Sequence, residues 1–191
     1  MNEHAAGVPP THAGGRVIVL TGPPGAGKTT VARVLADSLQ ASVHLHADDF
    51  WHYIRQGRIE PYLAEAHQQN QIVMDVIAQA AFCYAAGGYQ VVCDTIVGPW
   101  FINVFQTAAT ARNIPLHYVI LRPDLATALR RARRRPSHAL TDPEPIRQLH
   151  REFTDIGAYE RHVLDNMWLE PQATADAVLR GLAEGTYYLA P

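Results

Sequence analysis

The chain has 191 residues, of which 48% are apolar and 18% charged, and its formal net charge is −2. This balance is typical of a folded domain with its own core, and the apolar runs fall far short of the roughly 20 residues that a membrane span needs. The slight negative charge disfavours a general nucleic-acid binder, which usually carries a basic surplus. The amino terminus has an acidic residue and lacks the apolar segment of a signal peptide, so we expect a cytoplasmic protein.

Strands and helices alternate along the predicted chain. Apolar, often β-branched runs predict strands at residues 16–20, 42–47, 89–94, 115–121 and 162–165. Apolar residues at helical spacing predict helices at residues 28–40, 48–57, 61–86, 99–113, 125–135, 145–159 and 173–183. The alternation predicts an α/β fold: a three-layer sandwich in which helices cover both faces of a five-stranded, mainly parallel sheet. Ligands of such sheets bind beyond the carboxyl ends of the strands.

Some details of these elements carry their own expectations. In the long helix we expect a buried face made of Tyr62, Gln69, Val73, Val76, Ile77, Ala80 and Tyr84. His67 and Asn70 lie off this face and are expected to be exposed. Asp124 is expected to cap the helix that follows it. Cys83 and Cys93 have the spacing of neither a zinc site nor a disulfide framework, and apolar neighbours predict that both are buried thiols.

We expect residues 1–15 to form a flexible tail and residues 16–191 to form one domain. Within that domain, a polar and proline-rich break follows the arginine-rich helix at residues 136–145.

The turn after the first strand, GPPGAGKT, fits the pattern G-x-x-x-x-G-K-[ST] in full. Its glycines let consecutive backbone N–H groups face one anion, and the following helix adds its positive end. Lys28 is then placed to reach the β- and γ-phosphates of ATP, and the Thr29 hydroxyl to contact Mg²⁺. The predicted nucleotide-binding residues are Gly22, Pro23, Pro24, Gly25, Ala26, Gly27, Lys28, Thr29 and Thr30.

With this motif in this context, the sequence resembles the P-loop kinases of small molecules. That group includes nucleoside monophosphate kinases, shikimate and gluconate kinases, and chloramphenicol phosphotransferase. The resemblance is specific at residues 22–29 and extends, as an order of elements, over about residues 16–184. It implies that residues 166–171 lie where such kinases contact the adenine.

Acids follow the second and third predicted strands. Asp48 in the sequence DDF matches the acid found at this place in chloramphenicol phosphotransferase, and a carboxylate here can take the proton of an acceptor hydroxyl. Helix capping is the alternative for Asp48 and for Asp49, which we also name as a substrate candidate. Asp94 is expected beside the P-loop strand, where an acid can help to hold Mg²⁺, with turn capping as the alternative. Thr95 follows as a candidate for the acceptor pocket.

Arginines are concentrated in residues 122–135, which hold six arginines against one aspartate. The resemblance implies a lid-like segment near residues 130–145 whose arginines stabilise charge on the transferred phosphoryl group. Arg130 and Arg134 are the candidates. A solvated basic helix and a nucleic-acid surface are the alternatives. Arg55 and Arg58 are candidates for binding an anionic group of the acceptor, with an exposed surface position as the alternative.

These features together predict a kinase that transfers the γ-phosphoryl group of ATP to a hydroxyl or phosphate of a small molecule. Its expected partners are ATP, Mg²⁺ and the acceptor, without a membrane or nucleic acid. The alternatives are a cytidylate-like nucleoside monophosphate kinase, a non-catalytic nucleotide-binding module and a nucleic-acid 5′-end module. A GTPase that reads guanine through N-K-x-D is disfavoured, because no lysine follows Lys28.

Overall fold

The computed structural model describes residues 14–134 and 140–189. Most of the predicted tail and residues 135–139 of the predicted lid-like segment therefore lie outside the described residues. The single domain and the lid remain predictions.

The described residues form one five-stranded sheet with the strand order β2-β3-β1-β4-β5. The strands are β1 (Arg16–Thr21), β2 (Ser42–His46), β3 (Gln90–Asp94), β4 (Leu116–Leu121) and β5 (Val163–Leu164). Every pairing between neighbouring strands is parallel. The first strand lies at the centre, with Leu20 in register with Asp94 of β3 on one side and with Val119 of β4 on the other. The carboxyl ends of β1, β2 and β3 therefore meet at one edge.

Helices connect the strands. They are α1 (Lys28–Asp37), α2 (Asp48–His52), α3 (His67–Ala86), α4 (Ile102–Arg112), α5 (Leu125–Ala132), α6 (Pro143–Glu152) and α7 (Pro171–Ala183). Short 3₁₀ turns at Ala64–Ala66 and Gly157–His162 precede α3 and β5. The predicted cap of α5 is confirmed, since the Asp124 carboxylate accepts a hydrogen bond from the Thr127 amide at 2.7 Å. The α6 helix ends earlier than expected, and its amino end is capped by Asp142.

The sheet separates two apolar clusters. On one face, Ile18 and Leu20 of β1 pack with Leu35 of α1 and Val178 of α7. On the other face, alternate residues of the strands pack against side chains of α3 and α4, which include Phe82 and Phe105. Because successive side chains of a strand point to opposite faces, β1 contributes to both clusters and is buried on both sides. The three-layer α/β sandwich expected from the sequence is confirmed.

The face that α3 buries differs from the expected one. The helix begins at His67 rather than at residue 61, and its buried residues are Asn70, Val73, Met74, Ile77, Ala78, Ala81, Phe82 and Ala85. Val76 and Tyr84 are 49% and 47% exposed, so their assignment to the core was wrong. The expected face was aligned on Tyr62, which precedes the helix and cannot define its phase.

Asn70 is buried because its amide joins two elements. Its Oδ1 accepts a hydrogen bond from Trp51 Nε1 at 3.0 Å, and its Nδ2 donates to the Pro61 carbonyl at 2.7 Å. The expectation that Asn70 is exposed was therefore wrong, whereas His67 is exposed as expected. Cys93 is buried as expected, but Cys83 is exposed because it lies off the buried stripe of α3.

A buried histidine on β4 gives the fold a dependence on pH. Burial, and after it the charge of Arg16, lowers the pKa of His117 from 6.5 to about 4. Between these values the unfolded chain binds the additional proton. The stability that neutral His117 contributes is therefore complete above pH 6.5 and is lost as the pH falls towards 4.

We therefore expect His117→Phe, which keeps a ring beside Tyr188 but cannot be protonated, to weaken the pH dependence of thermal stability. Between about pH 7 and pH 4.5, the Tm of the variant should fall by roughly 5 °C less than the Tm of the unchanged protein. Melting curves followed by circular dichroism measure this difference. An equal fall in Tm for the two proteins over this pH range would contradict the assignment of the pH dependence to His117.

In the part of the chain that the structure describes, no helix is both long and apolar enough to cross a membrane.

Candidate active site

The residues of the motif form a turn between β1 and α1, at the centre of the sheet. A Cβ atom on Gly22 would lie 2.1 Å from the Leu121 carbonyl oxygen, and one on Gly25 would lie 2.1 Å from the Ala128 carbonyl oxygen. Both glycines also have positive φ, at 138° and 82°. Glycine is therefore required at both positions for contact distance as well as for backbone conformation. The turn opens towards the amino end of α1, which suits it to bind an anion.

Lys28 is the first residue of α1 and lies over this turn. Its Nζ donates hydrogen bonds to the carbonyls of Gly22 at 3.0 Å and of Pro23 at 3.2 Å. The ammonium is therefore held within the loop that would surround the phosphates. Thr30, the third residue of α1, is exposed, and the structure gives it no contact that supports its predicted role.

Asp94 ends β3 next to the P-loop, as predicted, and is only 3% exposed. Burial raises its pKa, but nearby His44, the charge of Lys28 and a hydrogen bond with Thr29 lower it more, so the pKa of Asp94 lies below its ordinary value. This carboxylate is therefore ionised. Its Oδ2 is buried and has no hydrogen-bond partner among the described residues.

Two histidines of β2, which sequence reasoning did not select, lie next to these acids. His44 Nε2 is 3.6 Å from Asp94 Oδ2, and His46 Nε2 is 3.9 Å from the same atom. His46 also lies 4.0 Å from Asp48 Oδ2, and its Nδ1 is 3.3 Å from Asp49 Oδ1. The imidazole of His46 thus lies among three carboxylates at the carboxyl edge of the sheet.

The two adjacent acids are placed differently. Asp48 is the first residue of α2 and lines a cleft of about 680 Å³, together with Pro24 of the P-loop. Asp49 is not among the residues that line this cleft and faces His46 instead. Neither carboxylate caps α2, since the structure shows no side-chain hydrogen bond at its amino end. The capping alternative is therefore wrong for both residues.

The cleft lies between the P-loop, α2, α3 and α6. Its walls include Trp51, Arg58, Asn70, Trp100, Phe101 and Leu149. Arg58 is in the wall but forms an ion pair with Glu60 at 2.7 Å, whereas Arg55 is exposed and lies outside the lining. Thr95 is buried, and its backbone amide donates a hydrogen bond to the Leu20 carbonyl. It is not among the residues that line the cleft.

Neither predicted arginine, Arg130 or Arg134, lines the cleft. Arg130 is exposed and donates to the Thr127 hydroxyl at 3.1 Å, and Arg134 is exposed after the end of the helix. A different arginine of this helix, Arg131, donates to the backbone carbonyls of Asn166 at 3.2 Å and Met167 at 3.3 Å. Arg131 therefore anchors the segment that follows β5.

Asn166 connects that segment to the P-loop. Its Nδ2 donates to the Ala26 carbonyl at 2.9 Å, and the side chain is buried. The resemblance placed Asn166 in the segment expected to contact the adenine, but it did not predict that this side chain supports the P-loop. The contact fixes the backbone of the loop from a position far along the chain.

We expect Asn166→Ala to lower the free energy of unfolding by about 1–3 kcal/mol, because the buried Ala26 carbonyl loses its hydrogen-bond donor. ATP affinity should fall as well, since the loop loses a support. Denaturant unfolding and calorimetric titration with Mg²⁺-ATP measure both effects. Asn103→Ala, on the exposed side of α4, is the control and should change neither; equal effects of the two variants would refute the role of Asn166.

A parallel sheet of this strand order, a glycine-rich phosphate loop after its central strand and an acid after the neighbouring strand define a kinase-like P-loop NTPase fold. A family model described as an AAA domain, AAA_33, matches residues 17–155. The chain belongs to this family. A search among curated proteins finds no match.

Solved structures support the same fold. A gluconokinase from Sinorhizobium meliloti superimposes with a TM-score of 0.67 at 17% identity, covering 91% of this chain and 94% of that one. An APS kinase from Mycobacterium tuberculosis, in complex with AMPPNP and APS, gives 0.65 at 16% identity and covers 90% and 99%. The tunicamycin resistance protein of Deinococcus radiodurans gives 0.63 at 21% identity and covers 93% and 99%. The structural neighbours thus include small-molecule kinases.

Proposed function

We propose that the protein is an ATP-dependent kinase that phosphorylates a hydroxyl group of a small molecule. The observation that carries this proposal is the cleft of about 680 Å³ whose wall contains both Pro24 of the P-loop and the exposed carboxylate of Asp48. One pocket therefore joins a place for the phosphoryl donor to a base for the acceptor. The volume suits a small organic molecule.

The donor site is assigned to residues 22–30. The backbone N–H groups of the loop and the Lys28 ammonium would bind the phosphates of ATP. The ionised Asp94 carboxylate, whose buried Oδ2 accepts no hydrogen bond from the described residues, and the Thr29 hydroxyl fit Mg²⁺, which prefers oxygen ligands. When bound, Mg²⁺ supplies positive charge that offsets the charge of the phosphates.

The acceptor site is assigned to the cleft. The acceptor hydroxyl donates its proton to Asp48 while its oxygen forms a bond to the γ-phosphorus and the bond between that phosphorus and the ADP oxygen breaks. Lys28 stabilises the negative charge of the phosphoryl oxygens during transfer. Because Asp49 faces His46 outside the cleft lining, the geometry favours Asp48 as the base.

Arg130 and Arg134 stay candidates for charge stabilisation by a lid, although neither lines the cleft in the described conformation. The mononucleotide-kinase alternative has less support than a hydroxyl acceptor. Such an enzyme needs cations for a second phosphate, but Arg55 lies outside the cleft lining and Arg58 is paired with Glu60.

ADP formation tests the proposal directly. The purified protein should release ADP from Mg²⁺-ATP faster when a suitable alcohol is added, and phosphorus NMR should show a new phosphate monoester in equal amount. ATP hydrolysis that no alcohol accelerates and that yields only inorganic phosphate would refute the kinase function and favour a nucleotide-binding module.

A further inference from the structure

The walls of the cleft are unusually acidic for a site that would bind an anionic acceptor. Among the described residues, four carboxylates line the cleft, those of Asp48, Glu60, Asp142 and Glu152, against the single guanidinium of Arg58. The acids come from separate parts of the chain, so their arrangement is a property of the folded cleft.

The one arginine is already neutralised by an acid. Arg58 pairs with Glu60 at 2.7 Å, so these two residues cancel each other. Glu152 accepts a hydrogen bond from the Gln148 amide at 3.4 Å, and Asp142 accepts one from the Glu144 backbone amide at 3.0 Å. Both donors are neutral, and no Lys or Arg in residues 14–134 and 140–189 forms an ion pair with either acid. Asp142 and Glu152 therefore keep their negative charge at the α6 side of the cleft.

Aromatic rings form another part of the wall. Trp100 is 42% exposed, and Phe101 stacks on His67 with ring centres 6.2 Å apart. Trp51 and Tyr62 complete this side. Organic cations bind favourably against the faces of aromatic rings, and carboxylates nearby add to the attraction. A carboxylate or phosphate of an acceptor would meet like charges in the same place.

We propose that the acceptor is an alcohol that carries a protonated amine, such as an amino sugar or a larger amino alcohol. Its ammonium binds beside Glu152 at the carboxyl end of α6, and Asp142 at the amino end of that helix adds to the negative potential of the cleft. Its reacting hydroxyl lies at Asp48 next to the P-loop. This inference rests on the proposed kinase function, because only a phosphoryl transfer has an acceptor. The preference of the cleft for a cation can be measured without any phosphoryl transfer.

The first experiment measures binding in the absence of ATP. The probes are the disaccharide of glucosamine, its neutral N,N′-diacetyl form and a disaccharide of glucose and glucuronate. Trp51 and Trp100 report on the cleft, and Trp168→Phe removes the signal of the one other tryptophan, which is 86% exposed and outside the lining. We expect the amine to bind about tenfold more tightly than the neutral probe, and the acid most weakly. Equal binding, a preference for the acid, or no binding of the amine overturns the inference.

The second experiment assigns the preference to α6. Glu152→Gln should weaken binding of the amine probe about fivefold and leave the neutral probe unchanged, which a general loss of structure would not do. Glu144→Gln is the matched control, because Glu144 lies on the same helix, is paired with Arg147 and Arg151, and is outside the cleft lining. Equal changes for both probes, or an equal effect of Glu144→Gln, overturns the role of Glu152.

The two proposals fail in different ways. If the amine binds preferentially but no alcohol, the amine probe included, receives phosphate from ATP, the kinase function fails and the charge preference of the cleft holds. If a neutral or acidic probe is phosphorylated and the amine is not, the kinase function holds and the inference about the acceptor fails.

Discussion

Lys28→Met is expected to reduce phosphoryl transfer by roughly 10³-fold, since it removes a cation positioned for charge that develops in the transition state. The methionine side chain keeps much of the length of lysine but loses the hydrogen bonds to the Gly22 and Pro23 carbonyls, so a melting curve must accompany the kinetics. ADP release, measured with saturating acceptor, gives the loss in kcat. Lys28→Arg should not restore the rate, because the planar guanidinium is wider than the ammonium that donates to Gly22 and Pro23.

The composition of the chain provides a direct control for this prediction. Lys28 is the only lysine, so an amine-selective reagent can modify only its side chain and the terminal amine. Mg²⁺-ATP should protect Lys28 from modification, as measured by peptide mass spectrometry. Arg33→Met, an exposed position on the same helix, should leave the rate unchanged. A variant without Lys28 that keeps its activity, or labelling that ATP does not slow, would remove Lys28 from the mechanism.

The sequence is most informative where a few backbone constraints act together. Gly22 and Gly25 meet carbonyl oxygens so closely that any side chain is excluded, and this requirement produces the glycine spacing of the motif. The strands were predictable because their runs are apolar and often β-branched, and β1 is buried on both faces. Asp94 was predictable because its strand ends beside the P-loop strand, and the register with Leu20 confirms that position.

The parts that the sequence does not predict depend on contacts between distant segments. Asn166 supports the P-loop from 140 residues further along the chain, and Arg131 in turn contacts Asn166. Contacts between distant residues leave no pattern in the sequence. The dense run of arginines therefore indicated Arg130 and Arg134 but not the contact of Arg131. The burial of Asn70 was missed for a similar reason. Asn70 is drawn into the interior by Trp51, which a count of apolar residues cannot reveal.

The sequence alone could not distinguish the roles of the two adjacent acids, and the contact with His46 is what distinguishes them. In a short helix, neighbouring residues point in different directions, but a sequence does not show which direction faces the ligand. In the structure, Asp49 lies 3.3 Å from His46 and Asp48 lies in the cleft wall, which supports the proposal that Asp48 faces the acceptor. The two carboxylates are equally accessible, at 54% and 56%, so their neighbours rather than their exposure distinguish them.

Asp48→Asn is therefore expected to lower kcat by roughly 10²- to 10⁴-fold, the range by which a general base contributes to catalysis. The amide keeps the shape of the carboxylate and can still accept a hydrogen bond from the acceptor, but it cannot take its proton. The KM for the acceptor and the affinity for ATP should change much less than kcat. Steady-state kinetics over a range of acceptor concentrations separate these quantities.

Asp49→Asn is the matched variant, because it removes the same charge from the adjacent and equally exposed residue. Its kcat should fall by less than about tenfold, since this carboxylate contacts His46 and does not line the cleft. If the larger loss followed Asp49→Asn, the two roles would be exchanged and the cleft wall at Asp48 would serve only for binding. If both variants kept full activity, proton transfer would not pass through either acid, and the hydroxyl would have to lose its proton to the phosphate itself.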